Sequence, residues 1–478
     1  MHVHFVAIAG TGMGSLAGLL KSRGFQVTGS DEGVYPPMSD ALARWGIPVS
    51  IGFRAENALA GPPDLVVIGN AVRPDNPEAR AAIEAGLRYA SFPDALAEFA
   101  IADRHAVVVT GTHGKTTTAS LIATLLLETG RDPSLLVGGI AANFDGSFRD
   151  GAGPEFVVEG DEYDTAFFDK TPKFLHYRAR TCVVTSIEFD HADIYRDLAH
   201  VQGEFSRLVR GLPADGTLVA ATDAPAVAEV AAEAPCAVVP YGVETTGPGL
   251  RAEGLVATPE GTRFTLRMDG ARGPRAFLPM HGRHNVANAL AALAVLRARG
   301  VELDEAVRAL RAFRGVKRRQ EVRGEAGGVT VIDDFGHHPT AVRETLEALR
   351  ARFPGRRIVA AFEPRSNTSR RAVFQEAYAG AFDAADRVVI AKVPDAPIYS
   401  AFDEEEIVRL DAERLARDVS ARGRPAVARA GVDAIVAELL RVCRPGDVVV
   451  TLSNGGFGGI WEKLLAGLEG RPAAGASP

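Results

Sequence analysis

Short runs rich in valine, isoleucine and alanine recur along the chain, separated by stretches of helical pattern: "HFVAIAG", "DLVVIGN", "AVVVTG", "FVVEGD", "TCVVTSI", "RIVAAFEP", "RVVIAKV" and "DVVVTLSN". Apolar residues that do not alternate with polar ones fit strands buried on both faces, as in parallel sheets covered by helices. The alternation therefore predicts an α/β chain. At 478 residues it is too long for one core. The runs fall into three groups, which sets expected domains at 1–103, 104–314 and 315–478. A weaker β-like pattern, "AEGLVATPEGTRFTLRMDG", lies inside the second group, no short internal repeat is present, and the Pro/Gly-rich tail "GRPAAGASP" is expected to be disordered.

The second group opens with "VVVTGTHGKTTTASLIATLL", a strand, a glycine-bearing turn and a helix. Such a turn aims backbone N–H groups and the positive helix end at an anion. Val109 stands where a standard Walker A loop has its first glycine, but Gly111, Thr112, His113, Gly114, Lys115, Thr116 and Thr117 remain. Lys115 is expected to reach terminal phosphates and the Thr116 hydroxyl to ligate magnesium. The second domain is therefore read as a P-loop ATPase-like parallel sheet.

The N-terminus "MHVHFVAIAG" lacks a basic start and a cleavage site, and no apolar run is long enough to span a bilayer, so the expected location is the cytoplasm. Cys182, Cys236 and Cys443 are too few and too scattered for a disulfide framework or a cysteine zinc site and read as buried small hydrophobes. A net charge of -7 argues against a general nucleic-acid binder and turns attention to small anions.

Further motifs end other strands. "GTGMGS" has the first two glycines of a dinucleotide fingerprint, Gly10 and Gly12, with Ser15 at the third, and Asp31 closes the second strand where an acid would hold a ribose. Close helix–strand packing without a ligand is the alternative for these glycines. Of Glu159, Asp161, Glu162 and Asp164 in "EGDEYD", Glu159 ends the strand and is the candidate magnesium ligand. The other three read individually as a solvated acidic loop. "EFDHADIY" places Glu188, Asp190, His191 and Asp193 at another strand end, with His191 a candidate for a metal or a phosphate. In "HGRHNVANALAAL", the polar residues His284, Asn285 and Asn288 either bond an adenine edge or cap the helix. "IDDFGHHPT" supplies Asp333, Asp334, His337 and His338, the histidines being site residues or helix caps. "FEPRSNTSRR" supplies Arg365, Asn367, Thr368 and Arg370, with arginines suited to carboxylates or phosphates.

Taken in order over nearly the whole chain, "GTGMG", "GTHGKTTT", "EGDEYD", "EFDHADIY", "GRHNVANALAAL", "KRRQE", "DDFGHHPT" and the arginine loop resemble the Mur ligase family, ATP-dependent amide-forming enzymes of peptidoglycan metabolism. That family's phosphate loop lacks the upstream glycine. The resemblance implies an N-terminal Rossmann-like domain for a UDP-sugar, the ATP domain, and a C-terminal Rossmann-like domain for the incoming amino acid or peptide. It assigns Gly10, Thr11, Gly12, Met13, Gly14, Asp31 and Asn70 to the UDP-sugar, and residues 111–117 with His284, Asn285, Asn288, Arg319 and Asp334 to ATP. Thr116, Glu159 and His191 would serve Mg2+, Lys115, Glu159, His191 and His337 the chemistry, and His337, Arg365, Asn367, Thr368 and Arg370 the peptide.

Two branches of the family share the histidine forms "GTHGKTTT" and "DDFGHHPT", one adding L-alanine to UDP-N-acetylmuramate and one adding the murein tripeptide L-Ala-γ-D-Glu-meso-diaminopimelate. "EGDEYDTAFFDK", the phenylalanine of "DDFGHHPT" where the alanine branch has tyrosine, and "FEPRSNTSRR" depart from the alanine branch, and "SNGGFGGI" resembles the tripeptide branch. No lysine lies between Lys173 and Lys317, so the carbamylated lysine of some Mur ligases has no counterpart, as in both these branches. The implied reaction activates the muramate carboxylate as an acyl phosphate, which the acceptor's neutral amine attacks, with domain closure near residues 103 and 314. An NAD-dependent oxidoreductase would rest on "GTGMG" alone, and a non-turning-over nucleotide sensor on the phosphate loop alone.

Overall fold

The structure, a computed structural model, describes residues 1–243, 246–402 and 407–470. The tail from Arg471 onward lies outside the described residues.

Three large sheets and one two-stranded ribbon, Asp164–Ala166 with Asp169–Pro172, organise the described residues, and all eight apolar runs form strands within the large sheets. The first has parallel strands in the order Val49–Ile51, Gln26–Asp31, His2–Val6, Leu65–Ile68, Tyr89–Ser91. Strand order reverses at His2–Val6, which opens a crevice at the strands' C-terminal ends. The second sheet centres on His105–Thr110, between Glu155–Gly160 and Thr181–Val184, all parallel. The β-like stretch becomes the antiparallel strands Leu250–Thr258 and Gly261–Met268, extended by Ala271–Leu278 at that sheet's edge. The third sheet runs parallel through Val329–Asp334, Val448–Leu452, Ile358–Phe362, Arg387–Ala391 and Ala426–Arg429, with Glu321–Ala326 antiparallel at one edge.

The central sheet shows why the valine run is a strand. Val107, Val108 and Val109 are fully buried and face two different cores, so no position tolerates a polar side chain. The helix Lys115–Glu128 covers one part of the sheet, and the alanine-rich helix Arg283–Ala298 packs beside it on neighbouring strands. Small side chains at Ala289, Ala291 and Ala292 permit that close approach, while each fully buried leucine, such as Leu121 or Leu293, contributes about 2–3 kcal/mol of burial.

The N-terminal unit docks on the central one through specific groups. Ser15, in the place of the third fingerprint glycine, is buried with its Oγ 2.6 Å from Ser147 Oγ, and Arg23 pairs with Asp150 at 2.6 Å. Cys182 and Cys443 are buried as expected, whereas Cys236 lies at a strand edge and is only partly covered. No helix among the described residues is long and apolar enough to cross a membrane.

Candidate active site

The central sheet also reverses strand order at His105–Thr110, and three chain segments that carry predicted site residues meet at its C-terminal edge. Gly111 and Gly114 adopt φ of +130° and +79°, which penalise a side chain. A Cβ on Gly114 would also come within 2.5 Å of Asn288 Oδ1. The loop is held from the neighbouring strand end, where Thr112 N donates to Ser186 O at 3.0 Å and His113 N to Ser186 Oγ at 2.9 Å. Among the described residues, the N–H groups of Gly114, Lys115, Thr116 and Thr117 have no acceptor. They and the helix dipole form a cradle for an anion.

At the mouth of this cradle Lys115 Nζ donates to Gly111 O at 2.7 Å and to Glu162 Oε2 at 2.8 Å. The other oxygen of Glu162 lies 3.2 Å from His191 Nε2. Burial opposes charge on all three groups, and their mutual attraction overrides it. Glu162 is held down at about 2 by Lys115 and His191, Lys115 is raised by Glu162 and its neighbouring acids, and His191 is raised to about 9 chiefly by Asp190 and Glu162. The cluster carries two cations and one carboxylate at neutral pH. His191 itself sits at φ +51°, a turn conformation that is uncommon without glycine.

Beside it the Thr116 hydroxyl donates to Glu159 Oε1 at 2.9 Å, and Gly138 N donates to Glu159 Oε2 at 2.8 Å. Burial and the adjacent Asp161 raise the Glu159 pKa. A hydroxyl and a carboxylate beside a phosphate cradle are hard oxygen donors of the kind magnesium takes, so this pair fits that ion. His191, the third candidate for the ion, bonds Glu162 at 3.2 Å beside this pair.

The third unit closes on the same edge. Thr340 Oγ1 donates to Glu188 Oε2 at 2.6 Å, and the rings of His113 and His338 lie 4.6 Å apart with Glu188 beside both. His338 also caps the helix Pro339–Arg352, its Nδ1 accepting from Thr340 N at 3.2 Å, and burial lowers its pKa to about 4. His337 is neutral as well, burial lowering its pKa, with Nδ1 3.2 Å from Phe335 O. Asn367 Nδ2 donates to Asp193 Oδ2 at 3.0 Å, Ala192 N donates to Thr368 Oγ1 at 3.0 Å, and Arg370 is tied to Asn367 Oδ1 at 2.9 Å. The first two contacts join the third unit to the central one, the Arg370 bond lies within the third unit, and Arg365 is exposed beside Gly455.

The structure corrects two expectations. Asn285 and Asn288 do not cap their helix, whose N-cap is Gly282 with no side-chain bond. Asn285 Nδ2 donates to His281 O at 2.8 Å, and Asn288 bonds Asn285 Oδ1 at 3.2 Å and accepts from Thr118 Oγ1 at 3.1 Å. They brace the phosphate-loop helix instead. Glu162 is not part of a solvated loop but the buried partner of Lys115 and His191, only 3% exposed. Its partners lie far away in sequence, so no local signal distinguished it from Asp164, which does sit at the surface with Lys170.

The remaining predicted residues take these places. His284 lies between Gln320, 3.4 Å away, and Glu344, 4.0 Å away. Arg319 is stacked 4.4 Å over the Phe335 ring. Asp334 accepts from Gln320 N at 2.8 Å and Gly336 N at 2.7 Å, and thereby shapes its own loop. In the first unit Gly10 precedes the helix Thr11–Ser22, which carries Gly12, Met13 and Gly14 in its first turn. Asp31 accepts from Ala9 N at 2.9 Å and Gly33 N at 3.0 Å, and Asn70 reaches across to the Asp164 carbonyl. Two residues that sequence reasoning did not assign join the site: Tyr195, whose hydroxyl donates to the Glu162 carbonyl, and Lys173, buried 4.0 Å from the Tyr163 ring centre and 3.5 Å from Asp161.

The chain matches three domain families in succession: Mur ligase family, catalytic domain, over residues 2–104; Mur ligase middle domain over 109–296; and Mur ligase, glutamate ligase domain, over 318–455. It is 38% identical to the UDP-N-acetylmuramate:L-alanyl-gamma-D-glutamyl-meso-2,6-diaminoheptandioate ligase of Escherichia coli strain K12, covering 99% of this chain and 100% of that one. It is 37% identical to the UDP-N-acetylmuramate:L-alanine ligase of Salinibacter ruber, covering 98% and 94%. The crystal structure of a murein peptide ligase from Psychrobacter arcticus 273-4 superposes with a TM-score of 0.73 at 33% identity, covering 99% of this chain and 100% of that one.

Proposed function

This chain belongs to the Mur ligase family, and we propose that it joins the tripeptide L-Ala-γ-D-Glu-meso-diaminopimelate to the lactyl carboxylate of UDP-N-acetylmuramate at the expense of ATP, in peptidoglycan recycling. The observation that carries the reading is the Lys115–Glu162–His191 cluster, which holds Lys115 at a phosphate cradle on the edge where the central and third units meet. The tripeptide acceptor is supported by near full-length identity to the E. coli enzyme and likeness to the P. arcticus structure. A cytoplasmic location goes with this reading, since a nucleotide-sugar and ATP are its substrates.

The chemical obstacle is repulsion. A carboxylate must approach the γ-phosphate of ATP, and both are anions. The free N–H groups of residues 114–117 hold the phosphate oxygens, and Lys115 exchanges the Gly111 carbonyl for them. Glu162 keeps Lys115 charged and aimed, and His191 brings a second positive charge to the same carboxylate. Thr116 and Glu159 would hold magnesium, which supplies further neutralisation of phosphate charge when bound. Transfer of the phosphoryl group to the sugar's carboxylate gives an acyl phosphate and ADP. The peptide's neutral α-amine then attacks the acyl carbon, one proton leaves the nitrogen, and phosphate departs. His337, neutral because burial disfavours its charge, is suited to accept that proton. In the first unit, the helix start at Gly10–Gly14 and the strand end at Asp31 provide the surface for the UDP-sugar.

Phosphate release from ATP and Mg2+ with UDP-N-acetylmuramate, with L-alanine or the tripeptide as acceptor and the product weighed by mass spectrometry, tests this. Tripeptide-dependent release is expected. Turnover with L-alanine and none with tripeptide would make this the first-step biosynthetic ligase.

A further inference from the structure

A cleft of about 710 Å³ lies between the loop that carries His191 and the third unit, its lining including Phe189, Tyr195, Arg196, Arg371, Val373 and Phe402. It is continuous with the site, because Tyr195 forms its wall while bonding the carbonyl of Glu162. Its far wall is fixed on the His191 loop, where Ala401 N donates to Asp193 O at 2.7 Å. The volume falls in the range of about 300–1,000 Å³ that houses drug-sized ligands, far more than an alanine needs.

The lining has a definite chemistry. Phe189, Val373 and Phe402 provide apolar sides, and the exposed Arg196 lays its guanidinium 5.2 Å from the Phe402 ring centre. Arg196 lines the cleft, and among the described residues it forms no ion pair. An aliphatic stem that ends in a carboxylate matches such walls: methylenes lie on the aromatics and the carboxylate takes the guanidinium fork.

We propose that this cleft is the acceptor's specificity subsite, with Arg196 binding a carboxylate of the third residue of the peptide and Phe189 and Phe402 flanking that residue's stem. The inference rests on the tripeptide reading above. It assigns acceptor selection to a residue on the central unit's own loop, outside the arginine loop of residues 363–372.

Steady-state kinetics of the full chain with the tripeptide, for the unaltered protein, Arg196→Gln and Arg196→Lys, decides the matter. Removal of the charge is expected to raise KM for the tripeptide about tenfold with kcat within about twofold, and lysine is expected to restore part of the loss. A KM in Arg196→Gln within about twofold of the unaltered value, or a fall in kcat at constant KM, overturns the subsite while leaving tripeptide ligation intact. Absence of tripeptide turnover in the unaltered protein removes the reading and the subsite together.

Discussion

Lys115 and Glu162 form an ion pair of 2.8 Å across the mouth of the phosphate loop, with only 12% and 3% of their side chains exposed. The pair keeps a cation at the cradle in a place where burial alone would discharge it. It also ties the acidic strand end to the loop.

The first prediction tests that coupling. Glu162→Gln leaves the Lys115 ammonium buried without its counter-ion, and breaking such a pair costs about 3–5 kcal/mol. The melting temperature should fall by several degrees, and the double variant Lys115→Met/Glu162→Gln should recover much of it. Strict additivity in a double-mutant cycle would show the two are independent. Lys115→Ala alone should lower product formation by about a thousandfold while the fold survives.

Gly114→Ala meets two obstacles, a φ of +79° and the Asn288 side chain 2.5 Å from the new carbon. ADP binding by calorimetry should weaken at least about tenfold, since the loop must shift and misalign its N–H groups. Asn288→Ala in the same background should restore little, because the backbone strain remains.

Glu188 joins the phosphate loop to the third unit through His113, His338 and Thr340. Glu188→Ala should loosen that docking. Hydrogen exchange of the segment 335–345 should accelerate by about tenfold, with protection of the sheet strand His105–Thr110 unchanged. Unaltered exchange in the segment would mean that the remaining contacts, Asn367–Asp193 and Thr368–Ala192, hold the interface alone.

The fourth prediction concerns pH. His191 is raised to about 9 in the fold, against 6.5 as its ordinary value, because Asp190 and Glu162 outweigh burial. A raised folded pKa stabilises fully below pH 6.5, and that stabilisation is lost as pH rises through about 9. The ligand-free protein should therefore lose melting temperature between these values, and His191→Gln should flatten that part of the profile. Parallel profiles for the two proteins would contradict the assignment.

The fold was legible because valine-rich runs such as "AVVVTG" and "DVVVTLSN" leave no room for polar faces, and each forms a strand buried on both sides. Glu159 stood out because it ends such a run beside the phosphate loop. Glu162 did not, since its burial depends on Lys115 and His191 arriving from other strands. The same holds for Asn288, whose neighbour Gly114 lies far earlier in the chain, and for Arg196, which gains meaning only from the cleft between two units. His338 does both jobs its sequence allowed, capping a helix and lining the junction. Pattern reports which strand ends carry polar groups; which of these face one another is decided by sheet order.

The most direct test of the account follows the oxygen atoms. UDP-N-acetylmuramate labelled with 18O in its lactyl carboxylate, turned over with ATP, Mg2+ and tripeptide, should deliver one labelled oxygen to the released inorganic phosphate, because the carboxylate oxygen leaves with the phosphoryl group. Phosphate free of label, with product still formed, would contradict activation of the carboxylate at the Lys115 cradle.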